Sequence, residues 1–142
     1  MTPLQAALAN LTHDDPRHRD LAVEQLGDLL RGTTLTAADA ELTITQLVAL
    51  LTNEADSTVQ ESTLHAIAEA FDHHRLNLRL VEPLRPLLAA MPPALLEYAL
   101  YILAATHDPH ARPAIEAFLQ HPDSAVRGYA ADALAELSGR SS

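Results

Sequence analysis

The chain has 142 residues, of which 48% are hydrophobic and 20% are charged, and it contains no cysteine. This length and composition predict one globular, water-soluble domain over residues 1–142 and exclude disulfides and thiolate metal sites. The formal net charge is −10, from nineteen acids and nine bases that are all arginine. Such a balance argues against nucleic-acid binding, which depends on neutralising phosphates. Neither a signal peptide nor a membrane span is predicted, so we expect a cytoplasmic location.

Helical periodicity runs through the chain, and N-cap residues mark the predicted helix starts. Proline follows Thr2, Asp15 and Asp108, which places each of these residues just before a first helical position. Eight helices are predicted, at about residues 3–11, 16–31, 37–52, 57–73, 78–90, 93–106, 109–120 and 124–138. Pro83 and Pro86 remove backbone donors from the fifth, which we expect to be delayed or kinked. No segment has the alternation of a strand, so the predicted fold class is all-α.

Three segments repeat one pattern: DPRHRDLAVEQLGDL from Asp15, DSTVQESTLHAIAEA from Asp56 and DSAVRGYAADALAEL from Asp123. Apolar or small residues recur at the fourth, eighth, eleventh, twelfth and fifteenth places, which is one face of a helix. A degenerate fourth copy starts at Pro92. Since no such helix can bury its face alone, helix pairs must stack side by side. We expect the core to include Leu26, Leu29, Leu64, Ile67, Leu103, Ala130, Ala133, Leu134 and Leu137.

The last copy resembles the second helix of a HEAT repeat, whose pattern is Asp-Pro-x-Val-Arg-x-x-Ala-x-x-Ala-Leu-x-x-Leu; Ser124 replaces the proline. The resemblance implies a right-handed α-solenoid of about four helix pairs, with repeat units at about residues 2–32, 36–74, 76–106 and 108–139. It also implies a ladder of hydrogen bonds between neighbouring repeats, in which Gln60 and Leu96 interrupt the arginine series. The ladder residues are Asp15, Arg19, Asp56, Asp123 and Arg127.

In the HEAT family the second helices line the concave face, and the sixth, tenth and fourteenth places of the pattern point outward along one stripe. Eight of the twelve residues at these places are acidic and none is basic. Like charges at this spacing repel by a few tenths of a kcal/mol per pair, so the stripe indicates a cationic partner. The predicted partner-binding residues, here called the acidic stripe, are Asp20, Glu24, Asp28, Glu61, His65, Glu69, Glu97, Tyr101, Asp132 and Glu136. Tyr101 is either an interface anchor or a residue packed between repeats.

Eight histidines raise the question of a metal site, because His13/His18 and His107/His110 have ligand-like spacings beside aspartates. The aspartates Asp15 and Asp108 are equally explained as N-caps, and no metal or cofactor is predicted. No nucleophile elbow or glycine-rich phosphate loop occurs in the sequence. We therefore interpret the chain as a non-enzymatic protein-interaction module, a monomer or weak homodimer, that binds a basic protein partner.

Two kinds of function agree with this interpretation: a bacterial immunity protein that neutralises a cationic toxin, and a regulatory adaptor. The alternative is a HEAT-like enzyme or small-ligand protein, a lyase or a metal-dependent enzyme. That alternative predicts a deep pocket with convergent polar groups on the concave face rather than an extended acidic surface.

Overall fold

A computed structural model describes residues 1–139, and all regular structure within that range is helical. The predicted all-α fold class is confirmed. The helices are α1 (Pro3–Asn10), α2 (Pro16–Arg31), α3 (Ala37–Asn53), α4 (Ser57–Ala70), α5 (Pro93–Ala105), α6 (Arg112–Glu116) and α7 (Ser124–Leu137), and the 3-10 segments are Leu78–Ala90, Pro109–Ala111 and Ala117–Gln120. No helix among the described residues is long and apolar enough to cross a bilayer.

Two of the eight predicted helical regions depart from regular α-helix. Residues Leu78–Ala90 form a 3-10 helix that contains Pro83 and Pro86. Each proline lacks the N–H that an α-helix would donate to the carbonyl four residues earlier, which explains the departure. The region predicted at 109–120 is divided into a 3-10 turn, the short helix α6 and a second 3-10 turn.

The predicted N-caps determine where the helices begin. Thr2 forms a capping box, in which its hydroxyl accepts from the Gln5 N–H and the Gln5 side chain accepts from the Thr2 N–H. The Asp15 carboxylate accepts from the backbone N–H of Arg17 at 2.9 Å. That bond, followed by the Arg17 guanidinium, lowers the pKa of Asp15 to about 2. Asp56, Asp108 and Asp123 cap their own helical segments in the same way.

The described chain forms two compact units, Met1–His74 and Arg75–Ser142. In the first unit, α1 packs on α2, α3 packs on α4, and the second helices α2 and α4 lie side by side. In the second unit, Leu78–Ala90 packs on α5, α6 packs on α7, and α5 lies beside α7. Each unit therefore contains two helix pairs whose second helices are neighbours.

Six of the nine residues predicted to be core are buried, and the other three are partly exposed. Leu26, Leu64, Ile67, Leu103, Ala130 and Ala133 are buried. Leu29 is partly exposed, and the adjacent Leu30 is fully buried in its place. Leu134 and Leu137 are also partly exposed, against the prediction. Within the described residues, α7 packs on α5, α6 and Ala117–Gln120, so its other side stays open to water.

This difference in burial predicts unequal stability losses. Leu103→Ala removes a side chain with no exposed surface and should lower the free energy of unfolding by about 2–5 kcal/mol. Leu134→Ala should cost about 1–2 kcal/mol, because part of that side chain is already in water. Urea denaturation of the two variants measures both losses. Equal losses would contradict the burial assigned to α7.

Candidate functional site: two acidic helix faces

The residues of the acidic stripe belong to two helix faces, one in each unit. The α2–α4 face consists of Asp20, Glu24 and Asp28 on α2 with Glu61, His65 and Glu69 on α4. The α5–α7 face consists of Glu97 and Tyr101 on α5 with Gly128, Asp132 and Glu136 on α7. All of these residues are exposed or partly exposed, so each face is open to solvent.

A groove of about 310 Å³ runs between α2 and α4 on the first face. Its charged and polar lining comes from Glu24, Asp28, Arg31, Ser62, His65 and Glu69, and its floor comes from Val23, Gly27 and Ala66. A Cβ built on Gly27 would lie 3.6 Å from the Ala66 Cβ, an ordinary van der Waals distance. The two helices therefore approach closely at the floor of the groove.

Arg31 places a positive charge inside this groove, although no basic residue occupies an outward place of the pattern. Its guanidinium donates to Glu69 Oε1 at 3.1 Å and also to Asp28 Oδ1. The His65 Nε2 lies 3.1 Å from the same Glu69 oxygen. Arg31 is not at one of the outward places, but its spacing of three residues from Asp28 is the signal that indicates the pair. Two carboxylates of the α2–α4 face are thus neutralised within the molecule.

The other carboxylates of the α2–α4 face differ in their access to water. Asp20 is partly buried, and among the described residues its Oδ1 is covered and has no hydrogen-bond partner. Glu24 and Glu61 are exposed. The negative charge that this face offers to a partner therefore comes mainly from Glu24 and Glu61.

Among residues 1–139, no arginine forms an ion pair with the carboxylates of the α5–α7 face. The Tyr129 hydroxyl donates to the Glu97 carboxylate across the two helices, and this bond raises the pKa of Tyr129. At the other end, the His107 Nε2 lies 3.6 Å from Glu136 Oε1. α5 contains no basic residue, and the one arginine of α7, Arg127, donates to the carbonyls of residues 121 and 122 in the preceding loop.

Tyr101 lies in the middle of the α5–α7 face with 43% of its surface exposed. Its neighbours in sequence, Ile102 and Leu103, are fully buried and hold α5 in place. Tyr101 therefore presents an aromatic surface to solvent, one helical turn after Glu97.

The ladder residues have mainly local roles, and one of them forms a buried ion pair. Arg19 Nε and Nη2 donate to the two oxygens of Glu54 at 2.7 and 2.8 Å, and Nη1 donates to the His13 and Asp14 carbonyls. Glu54 is only 8% exposed. Arg19 thus links the first two repeats through Glu54, whereas Asp56 caps α4.

The loop before α7 repeats the arrangement found before α2. The backbone N–H of Asp123 donates to His121 Nδ1 at 3.0 Å, as that of Asp15 donates to His13 Nδ1 at 3.0 Å. Arg127 Nη1 donates to the His121 carbonyl at 2.8 Å, as Arg19 Nη1 does to that of His13. In both loops a histidine, an aspartate and an arginine hold the turn that precedes a second helix.

The histidine pairs singled out in the sequence lie near helix caps. His13 and His18 stack with their ring centroids 4.1 Å apart. His110 Nδ1 lies 2.8 Å from the capping oxygen of Asp108. Within residues 1–139, no group of three or more histidine and acidic side chains is arranged to hold a metal ion.

A second cavity, of about 500 Å³, lies in the first unit outside the acidic stripe. It is lined by the loop after α1, by α3 and by the paired Arg19 and Glu54. Because Arg19 and Glu54 bind each other, the two charged side chains are already engaged there.

Comparison with known proteins supports the repeat pattern. Residues 81–142 match the family described as HEAT repeats. Two crystal structures of engineered proteins superpose on 97% and 96% of this chain, with TM-scores of 0.72 and 0.68 and identities of 22% and 25%. The complex of CpcE and CpcF of phycocyanin lyase from Nostoc sp. PCC7120 covers 98% of the chain, with a TM-score of 0.56 and 22% identity.

The chain spans 63%, 64% and 66% of those three structures, which is less than two thirds of each. No curated protein matches the sequence. The structural matches identify the fold, and the predicted resemblance to HEAT repeats is confirmed.

Proposed function

Since residues 81–142 match HEAT repeats and the chain has the fold of repeat α-solenoid proteins, we propose that it is a non-enzymatic module that binds a basic protein partner. The match to HEAT repeats supports a role as a protein-interaction scaffold. The observation that carries the basic partner is the charge of the twelve outward places, eight of which are acidic and none of which is basic.

The exposure of both helix faces supports this function. A partner can reach the carboxylates of Glu24, Glu61, Glu97 and Asp132, which are all exposed. Packing does not require these acids, because an exposed charge of this kind contributes little to folding. Complementary charge on a partner would remove their mutual repulsion and would speed the encounter. A bacterial immunity protein for a cationic toxin and a regulatory adaptor are both instances of this function.

The proposal predicts a salt-sensitive association. Raising the ionic strength from about 50 to about 200 mM should slow association with the partner markedly and change dissociation much less, because screening acts on the encounter. Affinity capture from the native host supplies the partner, and surface plasmon resonance separates the two rate constants. A partner with a net negative charge, or an association rate that salt leaves unchanged, would overturn the proposal.

A further inference from the structure

The two acidic faces differ in three respects. We propose that the α5–α7 face anchors the basic partner, because an arginine side chain of the partner packs against Tyr101 close to Gly128. This proposal rests on the proposed function and assigns its anchor to one face. The α2–α4 face then supplies long-range attraction without the main contact.

The first difference is the state of the carboxylates. On the α2–α4 face, Asp28 and Glu69 already bind the Arg31 guanidinium, so an incoming arginine would have to displace Arg31 to bind these two carboxylates. On the α5–α7 face, Glu97 accepts a hydrogen bond from the neutral Tyr129 hydroxyl, and no arginine within residues 1–139 pairs with it. An incoming guanidinium therefore gains more by binding Glu97 than by binding Asp28 or Glu69.

The second difference is the exposed aromatic ring. Tyr101 and Asp132 both occupy the tenth place of the repeated pattern, on the neighbouring helices α5 and α7. This shared place puts the ring and the carboxylate at a similar level of the face. A guanidinium can stack on a tyrosine ring and bind a carboxylate through its N–H groups at the same time. A lysine ammonium lacks the planar stacking surface. The pair therefore favours arginine over lysine.

The third difference is a glycine that packing does not explain. A Cβ built on Gly128 would meet no atom within 4 Å, although the residue lies inside α7. Glycine within a helix is unfavourable relative to alanine, so its presence costs stability. Gly128 is at the sixth place of the repeated pattern, the place that Glu97 occupies on α5. The missing side chain leaves room there for a partner to approach the helix. Gly27 of the α2–α4 face has Ala66 as a packing neighbour instead.

The first test uses hexa-arginine and hexalysine peptides as probes and calorimetry at low salt as the readout. Two double variants change the net charge equally: Glu97→Gln with Asp132→Asn on the α5–α7 face, and Glu24→Gln with Glu61→Gln on the α2–α4 face. We expect about a tenfold or greater loss of hexa-arginine affinity for the first and less than about threefold for the second. Tyr101→Leu should reduce the preference for hexa-arginine over hexalysine, since it removes the ring and keeps an apolar side chain.

The second test separates binding from folding at Gly128. Gly128→Ala should raise the melting temperature, because alanine favours the helix and its Cβ meets no atom, and Gly128→Leu should weaken peptide binding about tenfold or more. Ala38→Leu is the control: it adds a leucine at an exposed place of α3, a helix that belongs to neither acidic face. This control should bind like the unchanged protein.

The outcomes distinguish the anchor from the general function. If the α2–α4 double variant loses affinity and the α5–α7 variant keeps it, the anchor assignment is wrong and the acidic binding module survives. If the Gly128→Leu variant binds hexa-arginine as tightly as the control variant does, the proposed close approach of the partner to α7 at Gly128 is wrong. If neither peptide binds the unchanged protein at low salt, both proposals fail together.

Discussion

Replacing Glu54 with alanine should lower the free energy of unfolding by about 3 kcal/mol. We expect no other single substitution of a charged residue to cost as much stability. The substitution leaves the largely buried Arg19 guanidinium without the two carboxylate oxygens that it binds at 2.7 and 2.8 Å. Glu54 Oε2 also accepts from the backbone N–H of Asp56, so the start of α4 loses a bond as well. Urea denaturation at neutral pH measures the loss.

Two control variants make this prediction specific. Glu54→Gln retains one acceptor oxygen and should cost less than the alanine variant. Glu116→Ala removes an exposed carboxylate from α6 and should change stability by less than about 0.5 kcal/mol. Equal losses for Glu54→Ala and Glu116→Ala would show that the ion pair does not stabilise the fold.

The pH dependence gives the same ion pair a second readout. The hydrogen bond from Arg19 lowers the pKa of Glu54 below its ordinary value. A carboxyl group whose pKa is lowered by folding stabilises the protein above its ordinary pKa, and this stabilisation is lost as the pH falls through the lowered value. The difference in stability between the unchanged protein and Glu54→Ala should therefore narrow between neutral pH and about pH 3.

The fold was predictable because local signals and the repeated pattern agree. Asp15, Asp56 and Asp123 were recognisable as caps, and the burial of Ala66, Ile67 and Ala70 follows from the helical period in α4. Leu134 and Leu137 were assigned wrongly because periodicity indicates which side of a helix is apolar, and it does not indicate whether a neighbour covers that side. The 3-10 geometry of Leu78–Ala90 was foreseen only as a disturbance by Pro83 and Pro86.

The candidate site was predictable as a row of outward residues, but its internal pairing was not. Sequence spacing places Asp28 and Glu69 on neighbouring second helices, yet the reach of the Arg31 side chain between them depends on the close packing of α2 on α4. Glu54 was missed because it lies in the short loop before the Asp56 cap, where no period applies. The hydroxyl bond between Tyr129 and Glu97 likewise depends on how α5 and α7 align.

The largest effect on binding should come from reversing one exposed acid in each unit. Glu61→Arg with Glu97→Arg changes the net charge by +4 and puts a positive charge on both acidic faces, so affinity for a basic partner should fall about a hundredfold or more. The melting temperature should change little, because both side chains are exposed. The matched control, Asp39→Arg with Glu116→Arg, makes the same change of charge on α3 and α6, outside the stripe.

Measuring association and dissociation rates for both double variants separates a local contact from net charge. If net charge alone controlled binding, the two variants would lose affinity equally, because each reverses two acids. Contact through the second helices instead predicts that the Glu61 and Glu97 variant dissociates faster, whereas the control mainly associates more slowly through weaker long-range attraction. Equal losses would contradict the assignment of the working surface to the second helices, and the helix-pair fold would be unaffected.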